Sequence, residues 1–197
     1  MTDTLLDLAR GVMGSPWLYL VLLLCAALDG VLPFLPSEAM LLVSGAFAAT
    51  GHPDVVLVAL TASAGAFAGD HLCYLIGRRL GPPVLGRLRP GTKRHGAAQR
   101  LSALLERRGG VIVLAGRFVP GMRSVTTLTA GATAFPRRAF TAFDAAGALL
   151  WGVSGALLGY FTGTAFQDSP VKGLLVALAL AAVVIAVGEL AGRVRRN

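Results

Sequence analysis

Residues 116–123 read Gly-Arg-Phe-Val-Pro-Gly-Met-Arg. Arg117 and Arg123 bracket Pro120-Gly121, and the sequence on both sides is apolar. Proline removes a backbone donor and clashes with the preceding turn, so a Pro-Gly pair here breaks a spanning helix. Broken backbone at membrane depth is tolerated only inside protein or beside water. Arginine at that depth costs about 2.5–3.5 kcal/mol and marks function. The segment is therefore where this chain would hold an anion inside a bilayer.

The rest of the chain supplies the membrane context. Its 197 residues are 55% hydrophobic and 14% charged, with mean hydropathy +0.69; a soluble domain is about 25% charged. This composition implies an all-α, polytopic membrane protein with one domain over 1–197. Of the uncharged runs 11–28, 55–69, 145–167 and 173–188, only 145–167 reaches the roughly 18 apolar residues of a span without a flanking charge. Asp3 and Asp7 precede the first run and Arg10 is the sole early base, a poor signal peptide, so the N-terminus is expected to be retained. Cys25 and Cys73 lie in apolar surroundings and read as buried small hydrophobes. His52, His71 and His95 share no ligand spacing, and no zinc, haem, Walker or dinucleotide motif occurs. The expectation is no metal, no cofactor and no enzymatic activity.

Net charge is +8, and its location matters more than its size. Segment 78–110 holds nine bases and one acid, Glu106, an excess equal to that of the whole chain. In a soluble protein this would point to nucleic acid. Between membrane segments it marks a cytoplasmic loop on anionic headgroups, so no nucleic-acid partner is expected.

The pattern along the chain is a polar lead (1–15), a span (16–32), an irregular segment (33–50), a span interrupted by Asp70 (54–77), the basic loop with an amphipathic helix at 97–108, a second irregular segment (111–135), and spans at 139–163 and 173–192. Phe34-Leu35-Pro36 parallels Phe118-Val119-Pro120, and each is followed by a small-residue run ending at Gly45 or Gly131, a weak internal repeat. If both irregular segments are re-entrant hairpins from opposite faces, Arg10, the basic loop, Arg137-Arg138 and Arg193, Arg195 and Arg196 all lie inside and Lys172 outside. That satisfies the positive-inside rule, with both termini cytoplasmic. It also gives the inverted repeat common in transporters.

The charges at membrane depth are Asp29, Glu38, Asp70, Arg117, Arg123 and Asp144. Unpaired, they would cost roughly 15–20 kcal/mol, more than the stability of a typical fold at about 5–15 kcal/mol. They must be paired, hydrated or interfacial. The cheapest arrangement brings Glu38 or Asp70 and both arginines into one polar cavity. Plainer roles compete for each residue. Glu38 suits a helix first turn after Pro36, and Asp29 an interfacial helix end. Asp70 could snorkel toward Arg78-Arg79. For Asp144 the favoured reading is a first-turn acid after Arg137-Arg138, and the arginines could be purely structural ion pairs. Gly65 with Gly69, and Gly155 with Gly159, read as helix-packing spacings. Trp151 reads as packing or interface.

Three blocks of sequence resemble the DedA family of bacterial membrane proteins, which shares a superfamily with the eukaryotic VTT-domain lipid scramblases. They are Pro33-Phe34-Leu35-Pro36-Ser37-Glu38; Gly65-Ala66-Phe67-Ala68-Gly69-Asp70 with Tyr74, Gly77, Arg78 and Gly81; and Gly116 to Arg123 with Ala130-Gly131, Phe140, Gly147 and Trp151. They cover about 33–155. The resemblance implies spanning helices around two oppositely oriented re-entrant hairpins in a bacterial inner membrane. It implies movement of phosphate-bearing lipids, foremost undecaprenyl phosphate, with dependence on proton-motive force. It also implies that the essential acid and arginines map to Glu38, Asp70, Arg117 and Arg123. Ser124 to Thr129 lacks a proline that the family often has, and Asp144 stands where asparagine is common.

The expectation is a transporter of lipid-linked phosphate whose partners are membrane lipids and protons. Arg117 and Arg123 clamp the phosphate, since arginine's planar fork binds it bidentately and stays charged. Glu38, with Asp70, takes and releases a proton. Asp29, Asp144, Pro36, Pro120 and Gly121 are accessory. The alternatives are a small-ion or proton antiporter, a broad phospholipid scramblase, a lipid phosphatase (for which no histidine lies near the arginines in sequence) and a membrane scaffold.

Overall fold

Asp54 begins the longest helix. Its Oδ1 accepts the N–H groups of Val56 (2.8 Å) and Leu57 (3.0 Å), as a helix N-cap does. The computed structural model describes residues 15–32, 35–87, 93–119 and 122–165, with 176 and 179 as isolated helical positions. Among the described residues there are seven helices and no strand: α1 (Trp17–Val31), α2 (Ser37–Ala48), α3 (Val55–Arg87), α4 (Lys93–Arg108), α5 (Gly110–Arg117), α6 (Met122–Ala132) and α7 (Arg137–Ala165). The helical parts Val55–Gly81 and Arg137–Ala165 are long and apolar enough to cross a membrane. Leucines along the outer faces of α1, α3 and α7 stay exposed, including Leu24, Leu60 and Leu150. That is the reverse of a water-facing surface.

Three boundaries differ from those expected. Segment 33–50 is largely a helix, α2, because small and apolar residues follow the Pro36-Ser37-Glu38 start without interruption. The span expected to stop at 77 continues as helix through Arg87, so the basic segment is mostly two helices rather than a loop. Segment 111–135 is also helical on both sides of its break: α5 ends at Arg117 and α6 begins at Met122. Pro120 and Gly121 themselves, Pro33 and Phe34, the lead 1–14 and the span expected at 173–192 (apart from positions 176 and 179) lie outside the described residues.

The helices form two like-built halves. α1 packs on α3, and α5 on α7; the short helix of each half lies on the long helix of the other, α2 on α7 and α6 on α3. Small residues allow the close crossings. A Cβ added at Gly69 would stand 2.2 Å from the Ala27 carbonyl oxygen on α1, and one at Gly131 would stand 2.1 Å from that of Tyr74, so backbones meet there directly.

Two apolar clusters fill the interior. Leu22, Leu41, Val58, Ala62 and Ala156 form one, with Trp151 packed against it. Tyr74, Leu101, Leu105, Val113, Ala130 and Phe140 form the other. Through Leu101 and Leu105 the amphipathic helix α4 docks, leaving Arg100, Arg107 and Arg108 exposed. Along α3 and α7 a polar layer falls between the clusters.

Candidate functional site

Six helices converge on that layer. The end of α5 delivers Arg117 and the second residue of α6 delivers Arg123, and both guanidinium groups turn inward. Asp70 comes from the middle of α3, Asp29 from the last turn of α1 and Asp144 from the third turn of α7; Ser37 opens α2.

Asp70 is the centre. It is 1% exposed, and each of its oxygens takes a different arginine: Arg117 Nη2 donates to Oδ2, and Arg123 Nε to Oδ1 at 2.8 Å. Arg117 Nη2 also donates to Asp144 Oδ1 at 2.8 Å. Arg123 Nη1 lies 3.2 Å from Asp29 Oδ2, and its Nη2 donates to the Ala66 carbonyl at 3.2 Å. Asp29 Oδ2 accepts from Ser37 Oγ at 2.8 Å. A continuous polar chain thus runs from Ser37 through Asp29, Arg123, Asp70 and Arg117 to Asp144. Ser124 Oγ and Cys73 Sγ both donate to the Gly30 carbonyl at 2.8 Å, stitching α6, α3 and α1 beneath it.

Both arginines are engaged by carboxylates, and removing one partner of a buried pair typically costs about 3–5 kcal/mol because the other charge is left uncompensated. Two polar atoms of the layer lack a hydrogen-bond partner among the described residues, the acceptor Asp144 Oδ2 and an arginine donor. Arg117 Nη1 is buried without a hydrogen-bond partner. Gly147 makes room for this side chain, since a Cβ there would stand 3.3 Å from Arg117 Nε.

The placement decides against three of the plainer roles that competed in the sequence. Asp70 does not snorkel toward Arg78-Arg79; Arg78 instead donates to the Tyr74 hydroxyl at 3.1 Å. Asp144 is not a first-turn acid: α7 begins seven residues earlier, and the side chain is 2% exposed against Arg117. Asp29 is not a free interfacial acid but a partner of Arg123 and Ser37. Glu38 is brought near the site without joining the ion pairs. It is half-buried, with Asp29, Arg123 and the Trp151 indole acting on its carboxylate, while both arginines pair with aspartates. Pro36 lies at the start of α2 and lines an apolar cavity of about 190 Å³ with Leu18, Ala39, Met40, Val43 and Ser44.

Sequence reading missed His71. Its Nδ1 stands 3.3 Å from Asp144 Oδ2, which places it at the end of the polar chain. The available signal was its position beside Asp70 on an otherwise apolar helix. Cys25 and Cys73 are free, and no group of three metal-ligating side chains occurs among the described residues.

A buried ion-pair layer inside helices whose outer faces are apolar belongs to an integral membrane protein. Comparison with known proteins narrows the class. The VTT domain family model matches residues 35–161. Protein DedA of Escherichia coli K12 is 31% identical over 181 residues, covering 88% of this chain and 82% of that protein. Inner membrane protein YghB of the same strain is 35% identical over 128 residues, covering 62% and 57%. Uncharacterized membrane protein ML0287 of Mycobacterium leprae is 31% identical over 131 residues, covering 66% of this chain and only 59% of its own length. No solved structure matches the chain. The chain belongs to the VTT-domain family of membrane proteins, the family of DedA.

Proposed function

We propose that this protein moves a lipid-linked phosphate across the bacterial inner membrane, polyprenyl phosphate being the leading candidate, with proton coupling. The observation that carries the reading is the buried Arg117–Asp70–Arg123 arrangement. Two guanidinium forks at the ends of a broken helix suit a phosphate, and the N-terminal end of α6 adds favourable dipole. Carboxylates already engage both arginines, so phosphate must displace them. Protonation of Asp70 would discharge the group that holds both arginines and open the site to the anion; the headgroup would enter while the prenyl tail stays in lipid.

In this reading α2 and α6 belong to two re-entrant hairpins that enter from opposite faces. The crossed packing of each short helix on the other half's long helix supports it. The basic segment 78–110 then lies on the cytoplasmic face, as do both termini. Glu38 is the accessory acid at the mouth of α2.

One observation favours a second reading, a proton or small-ion antiporter: acids outnumber arginines in the layer. A broad phospholipid scramblase is the third. Reconstituted vesicles carrying polyprenyl phosphate and a glycerophospholipid, with and without a pH gradient, separate them. Selective, gradient-dependent polyprenyl phosphate movement is expected. Ion flux without lipid movement would replace this reading with the antiporter, and equal movement of both lipids with the scramblase. Arg117→Lys keeps the charge and loses the fork, so transport should fall at least tenfold; undiminished transport would remove the bidentate clamp.

A further inference from the structure

His71 makes none of the arginine contacts, yet its two ring nitrogens face different kinds of group. Nδ1 stands 3.1 Å from the Phe67 carbonyl oxygen and 3.3 Å from Asp144 Oδ2. A carbonyl and an ionised carboxylate only accept hydrogen bonds, so Nδ1 carries a hydrogen whether or not the ring is charged. Nε2 stands 3.0 Å from Thr141 Oγ1. A hydroxyl both donates and accepts, so Thr141 can satisfy Nε2 with or without a proton simply by rotating. One nitrogen is fixed and the other is free to load. The side chain is 17% exposed, at the rim of the layer rather than within it.

Charge balance points the same way. Asp29, Asp70 and Asp144 pair with Arg117 and Arg123, so the carboxylates of these ion pairs exceed the guanidiniums by one. An unbalanced charge at this depth is costly, and a cationic His71 makes the ion-paired groups equal in number, with half-buried Glu38 outside the pairs. The other charged groups acting on the ring are Asp144 and Arg137, both from α7, of which Arg137 opposes the cation; Asp70 is its neighbour on α3. The rings of Phe67 and Phe140, with centroids 4.1 and 5.1 Å away, add no net charge.

We infer that His71 is a proton-binding residue of this protein, loaded and unloaded at Nε2 and coupled through Asp144 to Arg117. When Nε2 gains its proton, the Thr141 hydroxyl turns from donor to acceptor and Asp144 Oδ2 faces a cation. Asp144 is then shared between His71 and Arg117. When the proton leaves, Arg117 alone neutralises Asp144. The inference deepens the proton-coupled reading and rests on it for its purpose, not for its geometry.

The test is ¹⁵N NMR of the full chain, labelled at histidine, in lipid nanodiscs, with His71 assigned by loss of its signals in His71→Gln. The expected result is a change in the ring's charge state over the range scanned, about pH 5 to 8, with the neutral ring bearing its hydrogen on Nδ1. A neutral ring protonated at Nε2, or a charge state unchanged across that range, would overturn the site. Coupling is read separately, as polyprenyl phosphate transport by His71→Gln in vesicles, where the response to a pH gradient should be lost. A gradient response equal to that of the unmodified chain would overturn the coupling. Titration at Nε2 with no lipid movement in the unmodified chain would leave the proton site standing and remove the transport reading alone.

Discussion

The two halves, α1–α3 and α5–α7, share a plan and carry opposite charges at its matching points. The second residue of each short helix is ionisable: Glu38 in α2, Arg123 in α6. The last turn of each leading helix is too: Asp29 in α1, Arg117 in α5. A helix N-terminus favours acids and a C-terminus favours bases. Glu38 and Arg117 therefore agree with their helix dipoles, while Arg123 and Asp29 oppose theirs. The two that oppose are paired with each other, 3.2 Å apart, across the halves. Dipole effects are worth about 0.3–1 kcal/mol and the coupling of a contacting pair about 0.5–3 kcal/mol, so pairing wins. Charge complementarity joins the halves, and helix ends only modulate it.

That comparison can be broken in several ways. The largest effect should come from Asp70→Ala, which strips both arginines of the carboxylate they share: stability should fall by about 3–5 kcal/mol in thermal or denaturant unfolding in detergent. A loss no greater than that of Asp29→Ala would mean Asp70 is not the junction. Next, Gly69→Ala and Gly131→Ala should each cost about 1–3 kcal/mol by overpacking, because each presses a methyl onto a carbonyl of the crossing helix. A cost confined to one of them would show that the crossings are not equivalent. A double-mutant cycle of Asp29→Ala and Arg123→Ala sharpens the pairing of opposed charges, with a coupling of about 0.5–3 kcal/mol expected. The smallest change should be Glu38→Gln, within about 1 kcal/mol, since this acid holds no arginine in the folded chain.

Much of this layer was legible from the residues. Two arginines around Pro120-Gly121, with acids scattered through apolar sequence, already required a paired cluster on grounds of cost. The partners were not legible, because the choice among Asp29, Glu38, Asp70 and Asp144 depends on where helices far apart in sequence cross. Asp144 shows the difficulty: Arg137-Arg138 beside it suggested a surface helix start, yet the chain turns it inward against a residue 27 positions away. Segment 33–50 looked irregular because its prolines dominate the reading, although one of them stands where a helix tolerates it, at its start. His71 has no metal-ligand spacing to mark it, and its partners Thr141, Asp144 and Phe140 come from α7, far away in sequence.

Asp70 offers one oxygen to each arginine, and that division has a consequence for timing. A carboxylate cannot lose half of its charge. One proton on Asp70 weakens its hold on α5 and on α6 at the same moment, leaving Arg117 to Asp144 and Arg123 to Asp29. Asp70 is thus one key turned in two bolts at once, and each bolt keeps a second catch of its own, Asp144 for Arg117 and Asp29 for Arg123.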